Sequence, residues 1–92
     1  MTLNSKKKYF IPKEIISSEV DENFYLLNMN TGKYIKLNPS AKFIYKKIEK
    51  NISDFEIIDS IVNEFDINID DARKDYQNFI REGISLKIIN IL

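Results

Sequence analysis

The chain contains no cysteine and no histidine. Zinc clusters, thiol nucleophiles, Ser-His-Asp triads and histidine general bases are thereby excluded, and with them most small-enzyme chemistry. It also lacks a long hydrophobic run. No apolar stretch approaches the roughly 18 residues of a membrane helix, and Lys6-Lys7-Lys8 leads into only Tyr9-Phe10-Ile11 before Pro12, too little for a signal peptide. A soluble, cytoplasmic protein is expected. Net charge is missing too: 14 basic residues balance 14 acidic ones, so no global field attracts nucleic acid or an anionic membrane. Any partner must be recognised locally.

Ninety-two residues suit one compact domain, and a chain of this size buries roughly 60 to 68% of its extended surface. A core therefore forms without disulfides or metal. Met1 to Lys8 is polar, basic and aperiodic, which places a flexible tail over residues 1–10 and a single domain over 11–92. No internal repeat or low-complexity segment interrupts it.

Ile15 to Val20 is a short β-like run, followed by the polar turn Asp21-Glu22-Asn23. Two further apolar runs, Phe24 to Met29 and Tyr34 to Leu37, flank Asn30-Thr31-Gly32-Lys33, where Asn and Gly tolerate the positive φ of a tight reversal. The three strands form a meander whose last member is a short edge.

At Leu37-Asn38-Pro39 the chain turns into a helix, with Asn38 as cap and Pro39 at the first position, where its missing N–H costs nothing. Ala41, Ile44, Tyr45 and Ile48 make its apolar stripe, and Asn51 can adopt the left-handed conformation at its end. Ser53 and Glu56 have capping-box spacing and open a second helix with the face Ile57, Ile58, Ile61, Val62, Phe65. Asn68 opens a third, in which Ala72, Tyr76, Phe79, Ile80 and Gly83 share a face and which is expected to end near Gly83. Ser85 to Leu92 reads as a closing strand or wing. The fold class is α+β: a three-stranded antiparallel sheet, three helices and a C-terminal strand, in the order of a winged helix-turn-helix variant.

Asp66-Ile67-Asn68-Ile69-Asp70 begins like a calcium loop, yet the sixth position, which needs glycine, is Asp71, and the twelfth, which needs glutamate, is Gln77. Helix capping accounts for these acids more simply. No paired carboxylates suggest a catalytic cleft, so no catalytic residue, metal or cofactor is assigned. Tyr25, Tyr34, Tyr45 and Tyr76 lie within apolar stripes or strands, and core or groove packing is the expected use of most of them. A winged-helix DNA-binding domain is the alternative function. In the third helix, however, Asp70, Asp71, Asp75 and Glu82 outnumber Arg73, Lys74 and Arg81, which suits phosphate contact poorly.

Asn30-Thr31-Gly32-Lys33-Tyr34-Ile35-Lys36-Leu37-Asn38-Pro39-Ser40-Ala41 resembles the G-x-Y-x-x-L-N-x-[ST]-A signature of PqqD-like proteins, the recognition elements for ribosomally made, post-translationally modified peptides. The resemblance runs from about Ile11 to Ile88: Ile44-Tyr45 and Ile48, the Ser-capped helix ending in Phe65, and Asp75 followed by Phe79-Ile80 and Gly83 keep family order. Tyr45 stands where tryptophan is usual and Asn51 where glycine is usual.

The resemblance implies a non-catalytic adaptor that captures a precursor's leader peptide by β-strand addition and presents it to a separate modifying enzyme, either a leader peptidase or a radical SAM maturase. The leader would lie between the third strand and the third helix. Residue patterning adds a physical reason, because a short edge from Tyr34 to Leu37 exposes N–H and C=O groups to a pairing strand. Ile35 and Leu37 are expected to face the core, and Lys33 and Lys36 to discourage self-pairing. On the third helix Tyr76, Phe79 and Ile80 would line the groove, with Arg73 and Asp75 at its rim.

Overall fold

The computed structural model describes residues 8–91. Two sheets and three helices share one core. β1 (Tyr9–Phe10) lies apart from a meander of β2 (Ile15–Val20), β3 (Asn23–Asn28) and β4 (Lys33–Leu37), after which come α1 (Pro39–Glu49), α2 (Asp54–Phe65), α3 (Ile69–Ser85) and β5 (Asn90–Ile91). The meander pairs antiparallel in the order β2-β3-β4, and β5 pairs with β1. Among the described residues no helix is long and apolar enough to cross a membrane.

Register fixes the two faces of the meander. Phe24 opposes Leu37, Leu26 opposes Ile35, and these pairs point inward. Leu26 is fully buried, and the Phe24 ring meets Tyr45 of α1 at 5.8 Å between centroids. The other face carries the pairs Leu27–Tyr34 and Tyr25–Lys36. β2 and β3 are joined by two residues, Asp21 (φ 52°) and Glu22 (φ 69°). Two successive positive φ values match the twist of a hairpin, although Glu22 has no glycine-like freedom there. At the second reversal only Gly32 (φ 76°) enters the left-handed region, while the Asn28 side chain accepts from the N–H groups of Asn30 and Thr31.

Each helix starts and stops for a local reason. Asn38 Oδ1 accepts from Ala41 N–H at 2.8 Å, and Pro39 occupies the first helical position. α1 ends as expected at Asn51 (φ 64°), with Asn51 N–H bonded to the Ile48 carbonyl and Ile52 N–H to that of Lys47. Asn68 caps α3 in the same way, accepting from Asp71 N–H at 2.8 Å. The capping box expected at Ser53 and Glu56 does not form. Ser53 is the N-cap residue, but its hydroxyl donates to the Glu56 carboxylate at 3.1 Å, a charge-assisted bond that replaces the two side-chain-to-backbone bonds.

The C-terminal end also differs from expectation. α3 continues through Ser85, and the strand is confined to Asn90–Ile91, with Ser85 to Ile89 making the helix end and reversal. The reversal is made at Lys87 (φ 63°), where Lys87 N–H bonds the Ile84 carbonyl and Ile88 N–H that of Gly83. Gly83 lies inside the helix because the returning chain needs its space. A Cβ there would stand 2.8 Å from Ile89 Cγ1. We expect Gly83→Ala to cost about 1 kcal/mol, overpacking outweighing the gain in helix propensity. In an Ile89→Ala background the same change is expected to stabilise by about 1 kcal/mol. Urea unfolding of the four proteins in this cycle reads the change of sign.

The N-terminal boundary shifts as well. Tyr9 is buried and Phe10 pairs with Asn90, so these two residues belong to the domain and not to the tail expected over residues 1–10. The rest of that tail, residues 1–7, lies outside the described residues.

Candidate functional site

β4 is an edge. Its inner neighbour is β3, and no strand of the described chain covers its other side. Leu37 is buried and Ile35 half-buried against the core, as their alternation requires, whereas Lys33, Tyr34 and Lys36 are exposed. Tyr34 is 68% exposed, so its ring is available to a ligand and contributes little to the core. Asn38 and Pro39 set the angle at which this edge passes into α1.

Tyr76, Phe79 and Ile80 of α3 are buried, and Arg73 and Asp75 are exposed. Arg73 is occupied in part by Asp70, one turn earlier, at 3.2 Å. Arg73, Tyr76 and Ile80 line a cleft of about 570 Å³ whose opposite wall is Phe55 and Ile58 of α2. No β4 residue reaches this cleft. β4 packs on α1 and α1 on α3, so the strand edge and the third helix are held on a common support. The strand and helix residues expected to form one groove thus fall into two groups, Lys33 to Leu37 at the edge and Arg73, Tyr76 and Ile80 at the α2–α3 cleft.

Phe55, 65% exposed, and Ile69, 45% exposed, also line this cleft and were absent from the sequence-based set. The available signal was Phe55 itself, an aromatic residue lying off the apolar stripe of α2.

Charge is segregated along the neutral chain. From Lys33 to Lys50 there are six lysines against Glu49 alone, whereas from Asn51 to Ser85 nine acidic residues face three basic ones. The β4–α1 segment is therefore basic. Lys42 of α1 pairs with Glu19 of β2, which holds the Glu19 carboxyl below its ordinary value chiefly through that hydrogen bond. Lys42 and Lys46 both stand 5.4 Å from the Phe24 ring centroid, a cation–π distance.

Burial pushes the Tyr45 and Tyr76 hydroxyls well above the ordinary tyrosine value of 10.0, with smaller contributions from Glu49 and Asp54 respectively. Tyr9 moves the same way. A folded-state value above the unfolded one favours the neutral phenol, so this stability is complete below pH 10 and declines as pH rises beyond it. The urea midpoint is expected to hold steady from pH 7 to about 9 and to fall above about 10. In Tyr76→Phe the alkaline decline should be shallower.

The family model described as coenzyme PQQ synthesis protein D (PqqD) matches residues 24–89, which take in the β3–β4 hairpin and all three helices. The chain belongs to the PqqD family. Solved structures similar to this PqqD-family chain include TbiB1 in complex with the TbiA(beta) leader peptide, 24% identical with a TM-score of 0.80 over 87% of this chain and 93% of that one. Another is lasso peptide synthetase B1 complexed with the leader peptide, 20% identical with a TM-score of 0.82 over 89% of this chain and 96% of that one. Both share the fold of the present PqqD-family chain. No curated protein matches the sequence at a significant level.

Proposed function

We propose that this PqqD-family chain is a non-catalytic, cytoplasmic adaptor that binds the leader segment of a ribosomally made precursor peptide and presents it to a separate modifying enzyme. The observation that carries the reading is the open β4 edge over Lys33 to Leu37, which carries the exposed Tyr34. A peptide added there gains backbone hydrogen bonds, and its alternate side chains meet the apolar row of Ile35 and Leu37. Family membership supports it, as do the leader-bound partners named for the two similar structures. The docking edge proposed is β4 itself; Arg73, Tyr76 and Ile80 of α3 belong to the separate α2–α3 cleft.

Such an adaptor acts by proximity. Holding the leader raises the effective concentration of the attached core peptide at the enzyme, without any group of the adaptor touching the reacting bond. Either a leader peptidase or a radical SAM maturase is served by the same device. A fluorescence-polarisation titration with the leader of the cognate precursor tests the reading: saturable binding supports it, and no binding by the folded protein removes it.

A further inference from the structure

The two faces of an added strand would meet different surroundings. Inward, the leader's side chains adjoin Ile35 and Leu37, which lie against the core, so any apolar residue serves there. Outward they extend two rows that cross the whole meander. One row is Ile16–Leu27–Tyr34, apolar throughout, and it ends in the exposed Tyr34 ring. The other is Ser18–Tyr25–Lys36, which ends in a cation. Among the described residues Lys36 takes part in no ion pair, and its row neighbours are neutral. Lys36 is thus the cation of this face: Lys33 shares the opposite face with Ile35 and Leu37, and Lys42 and Lys46 of α1 stand over the inward-facing Phe24 ring.

We infer that the peptide captured at β4 carries an acidic side chain two residues from an apolar or aromatic one, both on its outer face, read by Lys36 and Tyr34 respectively. The inference rests on the leader-binding reading and narrows the leader to a chemical class. Residues directly opposite in a sheet are close enough to interact, so opposite charge beside Lys36 and apolar contact beside Tyr34 are each favoured, and like charge is penalised. Spacing follows from the strand period of two, which puts the neighbours of Tyr34 and Lys36 on one face of the peptide. Order follows from direction. The meander is antiparallel, and an antiparallel fourth strand runs against β4, so the acidic residue comes first in the leader. The charge preference weakens as salt is added because the pair is exposed.

A display library of random peptides of about nine residues, long enough to run the length of β4 with flanks, tests this. It is sorted on the wild-type protein, on Lys36→Glu and on Tyr34→Ser, each shown to be folded by circular dichroism. Both side chains are exposed, so neither change disturbs the core. Wild type is expected to enrich the acid-x-apolar pair. Lys36→Glu should exchange acid for Lys or Arg at that one position and keep the apolar preference. Tyr34→Ser should keep the acid and lose the apolar preference. For one enriched peptide, acid→Ala should weaken binding about threefold and acid→Lys about tenfold. Enriched peptides without an acidic preference, or with the same preference on Lys36→Glu, overturn the inference and leave strand addition standing. No enrichment on any folded variant removes the leader-binding reading itself.

Discussion

A proline placed on the open side of β4 is expected to weaken leader capture strongly while leaving the domain folded. Successive residues of an edge strand send their N–H groups alternately to the neighbouring strand and to solvent. Of Tyr34→Pro and Ile35→Pro, one therefore strikes the β3–β4 ladder and the other strikes only the edge. Proline removes the donor and its ring crowds the approaching chain, so the loss exceeds that of one hydrogen bond. The variant that keeps its urea midpoint is expected to bind leader at least about tenfold more weakly in a polarisation titration. The other variant should lose stability. If the stable variant binds as wild type does, the peptide does not pair with this edge.

The largest loss of stability is expected from Leu26→Ala. Leu26 is fully exposed to the core and fully hidden from water, at the centre of β3 and opposite Ile35. Truncation removes apolar contact and leaves a cavity that β3, paired on both sides by β2 and β4, closes poorly. A cost of about 3 kcal/mol is expected, a large share of the stability of a domain this small. Urea unfolding measures it directly. Leader affinity of the remaining folded fraction should change little, since Leu26 is buried on the strand behind the edge. A cost below about 1 kcal/mol would mean that the meander's inner face repacks freely.

Much of this architecture is legible in the sequence because its signals are local. Asn38-Pro39, Asn51 and Asn68 each act through bonds to residues three or four positions away, and each sits where its chemistry predicts. The alternation of Ile35 and Leu37 with Tyr34 and Lys36 assigned the faces of β4 because a period of two leaves only one choice once the core side is known. Ser53 and Glu56 show the limit of motif reading, since the spacing allows two hydrogen-bond arrangements and the side-chain pair wins. Gly83 has the position of a helix terminator in the sequence, yet its role depends on Ile89, which reaches it only after the chain has reversed. The pairing of Tyr9 with Ile91 joins segments too distant in sequence for periodicity to connect.

The candidate site was less legible than the fold for the same reason. Lys33 to Leu37 form one strand, so their common placement needed no tertiary information. Whether residues of α3 face that strand or α2 depends on how the helices rotate against each other, which a stripe of apolar positions leaves open. Phe79 is buried, while Tyr76 and Ile80 contribute to the α2–α3 cleft.

The ladder of β1 and β5 places Tyr9 beside Ile91 and Phe10 beside Asn90. A domain whose first and last described strands are neighbours can be set into a surface loop of another protein without stretching either connection. It can equally be circularly permuted, with a short linker across that ladder and new ends opened at Asp21-Glu22. Such a permutant would leave β4 and its approach untouched, making the proposed docking edge a portable part that can be grafted beside an active site of choice.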